Sequence, residues 1–265
     1  MQLLNDAKKD FNQRATNSSF LEQRLAVNLH YSSGGFDAWV NDLLRTVHFS
    51  HVLDVCCGTG KQVTHYASLE NVVSVIGVDI SADGLKVAQQ KLEGACADKV
   101  TFKCLAMEHM FDDVELASKK FDLISCFYGL YYAKNVEHIL QQCLEHLNQR
   151  GNLLIVGPYG QNNKNLFDLL GQFFTLPALV TYSSQMFMEQ EVLPILQRSC
   201  RVVASTFVNY IAYPTPQAVL DYWRSTTFYS AEHEPAVASV LEHYFLSHSS
   251  FVVEKHVLAY MAQIR

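Results

Sequence analysis

From residue 51 onward the chain repeats one rhythm, a short β-rich apolar run followed by a stretch with helical character. HVLDVCC, VVSVIGVDI, KVTFKCL, FDLISCFYG and GNLLIVGPYG are the apolar runs. KQVTHYASLE, ADGLKVAQQKLEG and NVEHILQQCLEHLNQRG are the helical stretches. Strands alternating with helices predict parallel pairing, because each helix returns the chain to the end of the sheet where the previous strand began. The fold class is therefore α/β, a doubly wound sheet. In NVEHILQQCLEHL the spacing sets Val136, Ile139, Leu140, Cys143, Leu144 and Leu147 on one stripe, with Gly151 near the helix C-cap.

After Tyr159 the rhythm changes. NKNLFDLLGQFFTL, EQEVLPILQRS, PQAVLDYWRST and PAVASVLEHYFL read as helices, whereas RVVASTFVNYIAY and FVVEKHVLAYMA read as strands. Two late strands joined by helices predict an antiparallel C-terminal edge hairpin on an otherwise parallel sheet. The intervening helices fall where the carboxyl edge of such a sheet opens, the side on which its ligands bind, and read as helical lid insertions.

The most specific local feature is Val52-Leu53-Asp54-Val55-Cys56-Cys57-Gly58-Thr59-Gly60, a strand entering a glycine-containing turn that lets backbone approach a ligand closely. A P-loop is excluded, since no glycine stands five positions before Gly60 and Gln62 follows Lys61 in place of Ser or Thr. A dinucleotide fingerprint lacks its third glycine near Val63 and leaves Asp54 unexplained. Nineteen positions after Gly60, Asp79 ends VVSVIGVD, where a carboxylate can accept two hydrogen bonds from a ribose diol. Ser81 is the better candidate for the following helix N-cap.

With LDVCCGTG and IGVDIS at this spacing, residues 50 to 160 resemble the class I S-adenosylmethionine-dependent methyltransferases, notably the small-molecule type 11, UbiE-like subgroup. The resemblance implies a Rossmann-like methyltransferase sheet and S-adenosyl-L-methionine as cofactor. It also implies that Asp54 faces the ligand's amino group through water and that Gly58 and Gly60 fold under its methionine part. Asp79 would hold the ribose, and Ile80 would lie on the adenine. Cys56 replaces the motif's first glycine. The third motif is weakened to Leu105-Ala106-Met107-Glu108-His109, so that backbone of Ala106 and Met107 must read the base. Phe127 would border the methionine portion, and Tyr31 lies where relatives fold an N-terminal segment over the cofactor.

Methyl transfer from a sulfonium needs mainly an acceptor lone pair held in line, so positioning supplies much of the rate. The stretch after the fourth strand reads Phe127-Tyr128-Gly129-Leu130-Tyr131-Tyr132, where relatives carry histidines. Phenols of pKa about 10 orient an acceptor better than they deprotonate it, which assigns Tyr131 and Tyr132 an orienting role. His233 and Glu234 are the lid's candidate bases. Tyr159, Trp223 and Tyr229, with neighbouring aromatic and Met residues, are candidates to wall an apolar acceptor pocket, core packing being the competing reading.

Metal-dependent relatives place carboxylates after strands four and five. Phe127-Tyr128-Gly129 and Gly157-Pro158-Tyr159 offer none, so no metal is expected. The motifs of DNA-methylating enzymes are absent, and 20 Lys and Arg against 26 Asp and Glu leave no general cationic surface for nucleic acid. The expected partner is a small-molecule acceptor. No apolar run suits a membrane span and no leader is evident, which predicts a cytoplasmic protein. Seven cysteines without a C-x-x-C pair read as small core residues.

The organisation expected is one elaborated domain over residues 1–265. It comprises a helical cap (1–45), a cofactor-binding core (50–160), lid insertions (161–200 and 214–249) and closing strands (201–213 and 250–262). The function expected is metal-independent methyl transfer to oxygen or nitrogen of a small, partly apolar metabolite. Carbon methylation of a quinone- or lipid-like acceptor is the alternative, and a non-catalytic cofactor-binding partner protein is a third reading.

Overall fold

The computed structural model describes residues 17–92 and 94–265. Seven strands form one sheet: β1 (His51–Val55), β2 (Ser74–Asp79), β3 (Val100–Cys104), β4 (Phe121–Phe127), β5 (Leu147–Pro158), β6 (Cys200–Tyr213) and β7 (Phe251–Ile264), in the order β3-β2-β1-β4-β5-β7-β6. The pairings from β3 through β5 are parallel, as the strand and helix rhythm predicts. β7 runs the opposite way. Its end lies at the start of β5, where Gln263 Nε2 donates to Arg150 O at 3.1 Å, and beside the start of β6, where Arg265 N donates to Ser199 O at 3.1 Å. The antiparallel edge is thus made by β7 inserted between β5 and β6.

The chain divides into two compact units. The sheet unit comprises residues 40–157, 187–206 and 258–265. Its central strands are apolar on both faces: Val52, Leu53, Leu123, Ile124, Leu153 and Leu154 are fully enclosed, as parallel strands covered on two sides require. Helix Ala82–Gln90 starts at Ser81, whose hydroxyl accepts from Gly84 N at 3.1 Å. Helix Val136–Glu145 is capped by Asn135 and buries Val136, Ile139, Leu140 and Cys143 of the anticipated stripe; Leu144 is half-buried, and Leu147 lies past the helix as the first residue of β5. Gly151 departs from expectation. The helix ends at Glu145, and Gly151 lies within β5, in an irregular stretch where Phe121 and Leu123 face Leu147 and Asn152. A Cβ there would come within 2.8 Å of Phe121 O, so the bulge rather than a helix cap demands the glycine.

The second unit comprises 17–39, 158–186 and 207–257 of the described residues. Helices Ser18–Tyr31, Lys164–Leu170, Pro216–Arg224 and Glu234–Phe245 contribute to it, with a core that includes Leu166, Leu170, Ile211, Trp223 and Leu241. Residues 1–16 of the expected N-terminal cap lie outside the described residues. The segment 161–200, expected as a lid insertion, is divided between the two units. Residues 187–200 belong to the sheet unit, where Met188 lies over Gly157, whose Cβ would stand 2.9 Å from the Met188 sulfur, and Arg198 pairs with Glu137.

Candidate active site

The topology reverses between β1 and β4, which opens a crevice at their carboxyl ends. Asp54 stands there, in register with Gly77 of β2 and Ser125 of β4. It is buried, and Ser125 Oγ donates to its Oδ1 at 2.6 Å. Among the described residues its Oδ2 has no hydrogen-bond partner. Burial pushes the carboxyl up to about 7; Ser125 opposes that rise and the charge of Asp79 adds to it. Behind it, Tyr66 is fully enclosed beside Ser125, its phenol raised well above the usual range by burial.

The turn after β1 is built on left-handed backbone, with Cys56 at φ 59°, Gly58 at 54° and Gly60 at 79°. Gly60 needs its missing side chain twice, since an added Cβ would also sit 2.6 Å from Ala88 Cβ. Cys56 adopts the glycine-like conformation itself, so the glycine-to-cysteine change in the motif keeps the turn. Gly129 makes this fit: a Cβ on it would approach Cys56 Cβ to 2.3 Å.

Asp79 ties the turn to β2. Its carboxylate accepts from Gly58 N and Ser81 N, each at 2.8 Å. Burial raises its pKa, while bonds from Ser81, Gly58 and Ile80 hold it down. Each oxygen of an ionised carboxylate accepts more than one bond, leaving room for a diol. Ile80, beside it, is 61% exposed despite being aliphatic. Leu105 N donates to Asp79 O at 3.0 Å, which brings Ala106 and Met107 to the same strand end. Phe127 ends β4, and Tyr131 follows with its ring 4.6 Å from that of Tyr132 and 6.0 Å from Phe187. Asp54, Cys56, Gly58, Gly60, Asp79, Ile80, Ala106, Met107, Phe127, Tyr131 and Tyr132 therefore all belong to the sheet unit.

Tyr31, Tyr159, Trp223 and Tyr229 belong to the other unit. Tyr31 meets Tyr213 edge to face at 5.7 Å. Trp223 exposes no surface and its indole donates to Phe228 O at 3.2 Å, an environment that serves core packing and leaves its side chain no face for an acceptor. Tyr229 donates to Glu234 Oε2 at 2.5 Å. Glu234 is a poor base, because Arg224 foremost, with Tyr229, lowers it to about 2. His233 is engaged with Ser230 Oγ at 2.7 Å. An imidazole that the sequence reading passed over is His256, whose Nε2 meets Glu254 Oε2 at 2.9 Å and whose ring lies 6.0 Å from Tyr159. Only the i, i+2 spacing of a strand could have signalled that pair.

Among the described residues no group of three or more His, Cys, Asp or Glu could hold a metal ion, and no helix is long and apolar enough to cross a membrane.

Residues 49–207 match the methyltransferase domain family. Over 122 residues the chain is 33% identical to a ubiquinone biosynthesis O-methyltransferase of Glaesserella parasuis, covering 44% of this chain and 49% of that protein. Over 110 residues it is 36% identical to a demethylmenaquinone methyltransferase of Lactiplantibacillus plantarum, covering 39% and 44%. The chain thus spans about half the length of these curated relatives. A Geobacter sulfurreducens S-adenosylmethionine-dependent methyltransferase solved with S-adenosyl-L-homocysteine shares the fold at TM-score 0.54 and 17% identity, over 86% of this chain and 90% of that one. The plantazolicin methyltransferase BpumL, also solved with S-adenosyl-L-homocysteine, aligns over 100% of both chains at TM-score 0.53 and 14% identity.

Proposed function

Because this chain belongs to the methyltransferase domain family, we propose that it transfers a methyl group from S-adenosyl-L-methionine to oxygen or nitrogen of a small, partly apolar acceptor without a metal ion. The observation that carries this reading is the pair of carboxylates, Asp54 and Asp79, flanking the left-handed Gly58–Gly60 turn. The residues suit the cofactor. Asp54 keeps an oxygen open for an ammonium group, Asp79 keeps acceptor capacity for a ribose diol, and exposed Ile80 offers an apolar face to the adenine.

When bound, the sulfonium would supply an electrophilic methyl group. The chain's own work is placement. Asp54 orients the amino acid end, Asp79 the ribose, backbone of Ala106 and Met107 the base, and Phe127 the methionine portion. Tyr131 and Tyr132 orient the acceptor, with Tyr159 and Tyr229 as further acceptor contacts and Tyr31 as a closing residue. Holding the acceptor lone pair in line supplies much of the rate.

A second reading, carbon methylation of a quinone- or lipid-like acceptor, is favoured by the 36% identity to a demethylmenaquinone methyltransferase. Calorimetric titration with S-adenosyl-L-methionine tests the cofactor, and NAD binding in its place overturns the assignment. Mass spectrometry after incubation with phenol, hydroquinone and amine panels separates oxygen, nitrogen and carbon products. Activity unchanged by EDTA is expected; a rate restored only by added Mg²⁺ overturns the metal-independent mechanism.

A further inference from the structure

A buried phenol behind the cofactor edge has no part in the methyl-transfer reading. Helix Lys61–Ser68 leaves the Gly58–Gly60 turn and buries Val63, Tyr66 and Ala67, the i, i+3, i+4 face that packs on β1 and β2. Tyr66 exposes no surface, and its ring is held edge to face by Phe49 at 6.2 Å. The groups that act on its hydroxyl include Asp54 and Ser125. Its O–H nevertheless has no hydrogen-bond partner among the described residues. A donor buried without an acceptor is costly to a fold, and phenylalanine would fill the same space without that cost.

Ser125 Oγ is the acceptor that this surrounding offers. Ser125 is itself fully enclosed, and its proton is committed to Asp54 Oδ1 at 2.6 Å. A hydroxyl oxygen keeps two lone pairs when it donates, and no donor among the described residues occupies those of Ser125. On the other side of Asp54 the register partner is Gly77 of β2, which brings no side chain. Burial foremost, then the charge of Asp54, raises the Tyr66 phenol well above its usual range while Ser125 opposes, so Tyr66 keeps its proton and remains a donor. The titratable groups facing Asp54 are Asp79 of β2, Cys57 in the turn and Tyr66. Burial holds Cys57 neutral as well, and the charge of Asp79 opposes ionisation of Asp54. A second donor in line behind Ser125 acts the other way, because a hydroxyl that accepts a hydrogen bond donates a stronger one.

We propose that Tyr66 is a positioning residue for the cofactor carboxylate: its O–H donates to Ser125 Oγ, so that the Tyr66–Ser125–Asp54 chain closes when Asp54 ionises and holds it charged toward the ammonium group of the methyl donor. This rests on the methyltransferase reading. The chain lies wholly in the sheet unit.

Calorimetric titration of the full chain with S-adenosyl-L-homocysteine between pH 6 and pH 9 reads the effect. Tyr66→Phe keeps the ring and should move the midpoint of the pH-dependent affinity upward by about one unit, so that binding is about fivefold weaker than wild type at pH 7 and nearly equal at pH 9. Ser125→Ala should move it at least as far, and the double variant no further than Ser125→Ala alone. An unmoved midpoint in Tyr66→Phe overturns the proposal, and a double variant that shifts by the sum of both overturns the route through Ser125. Thermal unfolding of the free protein is a readout that needs no ligand. Losing a donor to the ionised form raises the folded-state pKa of Asp54 further, so the melting temperature of Tyr66→Phe should fall increasingly below wild type as pH rises from 6 to 9. That widening should vanish in an Asp54→Asn background. A gap constant with pH, or a variant more stable than wild type throughout, shows an orphaned hydroxyl and overturns the proposal. A widening that persists with Asn at position 54 assigns the effect to Asp79 and overturns it too. Wild-type protein that binds no S-adenosyl-L-homocysteine at any pH removes the methyltransferase reading and with it the ammonium partner, while the unfolding profiles still decide the hydrogen-bond chain.

Discussion

Ser125 Oγ reaches across the β4–β1 pair to Asp54 Oδ1 at 2.6 Å, the one side-chain hydrogen bond that holds this buried carboxyl among the described residues. The bond leaves the other oxygen open and only partly offsets the cost of burial, so the group titrates at about 7 instead of 3.8.

That position fixes a pH dependence. A carboxyl with a raised folded pKa holds its proton more tightly in the native state, so it takes stability away as pH rises from about 3.8 and the loss is complete above about 7. The melting temperature of Asp54→Asn should therefore gain on wild type across that interval. Cofactor binding has the opposite trend, because an ammonium group prefers ionised Asp54. The S-adenosyl-L-methionine Kd should be about tenfold weaker at pH 6 than at pH 8. Calorimetry giving a flat profile would separate Asp54 from the amino group.

Asp79 has two duties, a ligand carboxylate and a tie between Gly58 N and Ser81 N. Asp79→Ala should weaken S-adenosyl-L-methionine binding by about 1.5–3 kcal/mol and also lower the melting temperature of the free protein. Asp79→Asn, which keeps one acceptor, should recover part of the stability and little of the affinity. Equal affinity for wild type and Asp79→Ala would sink the ribose assignment.

Gly129 and Cys56 should behave as a coupled pair. Gly129→Ala drives a Cβ to 2.3 Å from Cys56 Cβ and is expected to cost about 1–3 kcal/mol. Cys56→Gly removes the opposing atoms and the left-handed strain, so the double variant should regain much of the loss. Additive denaturation energies for the two substitutions would show that the loop relaxes instead.

In the helical unit, Trp223→Ala should destabilise by about 3–5 kcal/mol, as emptying an enclosed aromatic site does. Cofactor affinity should stay unchanged in the protein that remains folded. Tyr229→Phe removes the hydroxyl that donates to Glu234 while keeping the ring, and should leave the melting temperature nearly intact while impairing acceptor turnover. A turnover equal to wild type takes Tyr229 out of the acceptor contacts, and a Trp223 variant with normal stability contradicts the core assignment.

Sheet class and cofactor edge were legible in the chain because both are local in sequence. Period-two apolar runs and 3.6-residue stripes report burial directly, and the strand, turn and strand carrying Asp54, Gly58, Gly60 and Asp79 lie within one short stretch. Ser81 capping the next helix is local in the same way. Other features depend on residues far apart in the chain. Gly151 looks like a helix stop until Phe121 O, on the neighbouring strand, is seen to occupy the space of its Cβ. Residues 187–200 have the composition of a lid helix, yet Gly157 and Glu137 draw them to the sheet. Trp223 and Tyr229 are indistinguishable as aromatic residues of one segment, and enclosure by helices from distant positions gives Trp223 no exposed face. Lys255 reads as one cation on an alternating strand. Its bonds to Asn163 and Tyr222 exist only once three separate segments are folded together, because the desolvation and hydrogen bonding of a cation depend on neighbours in space.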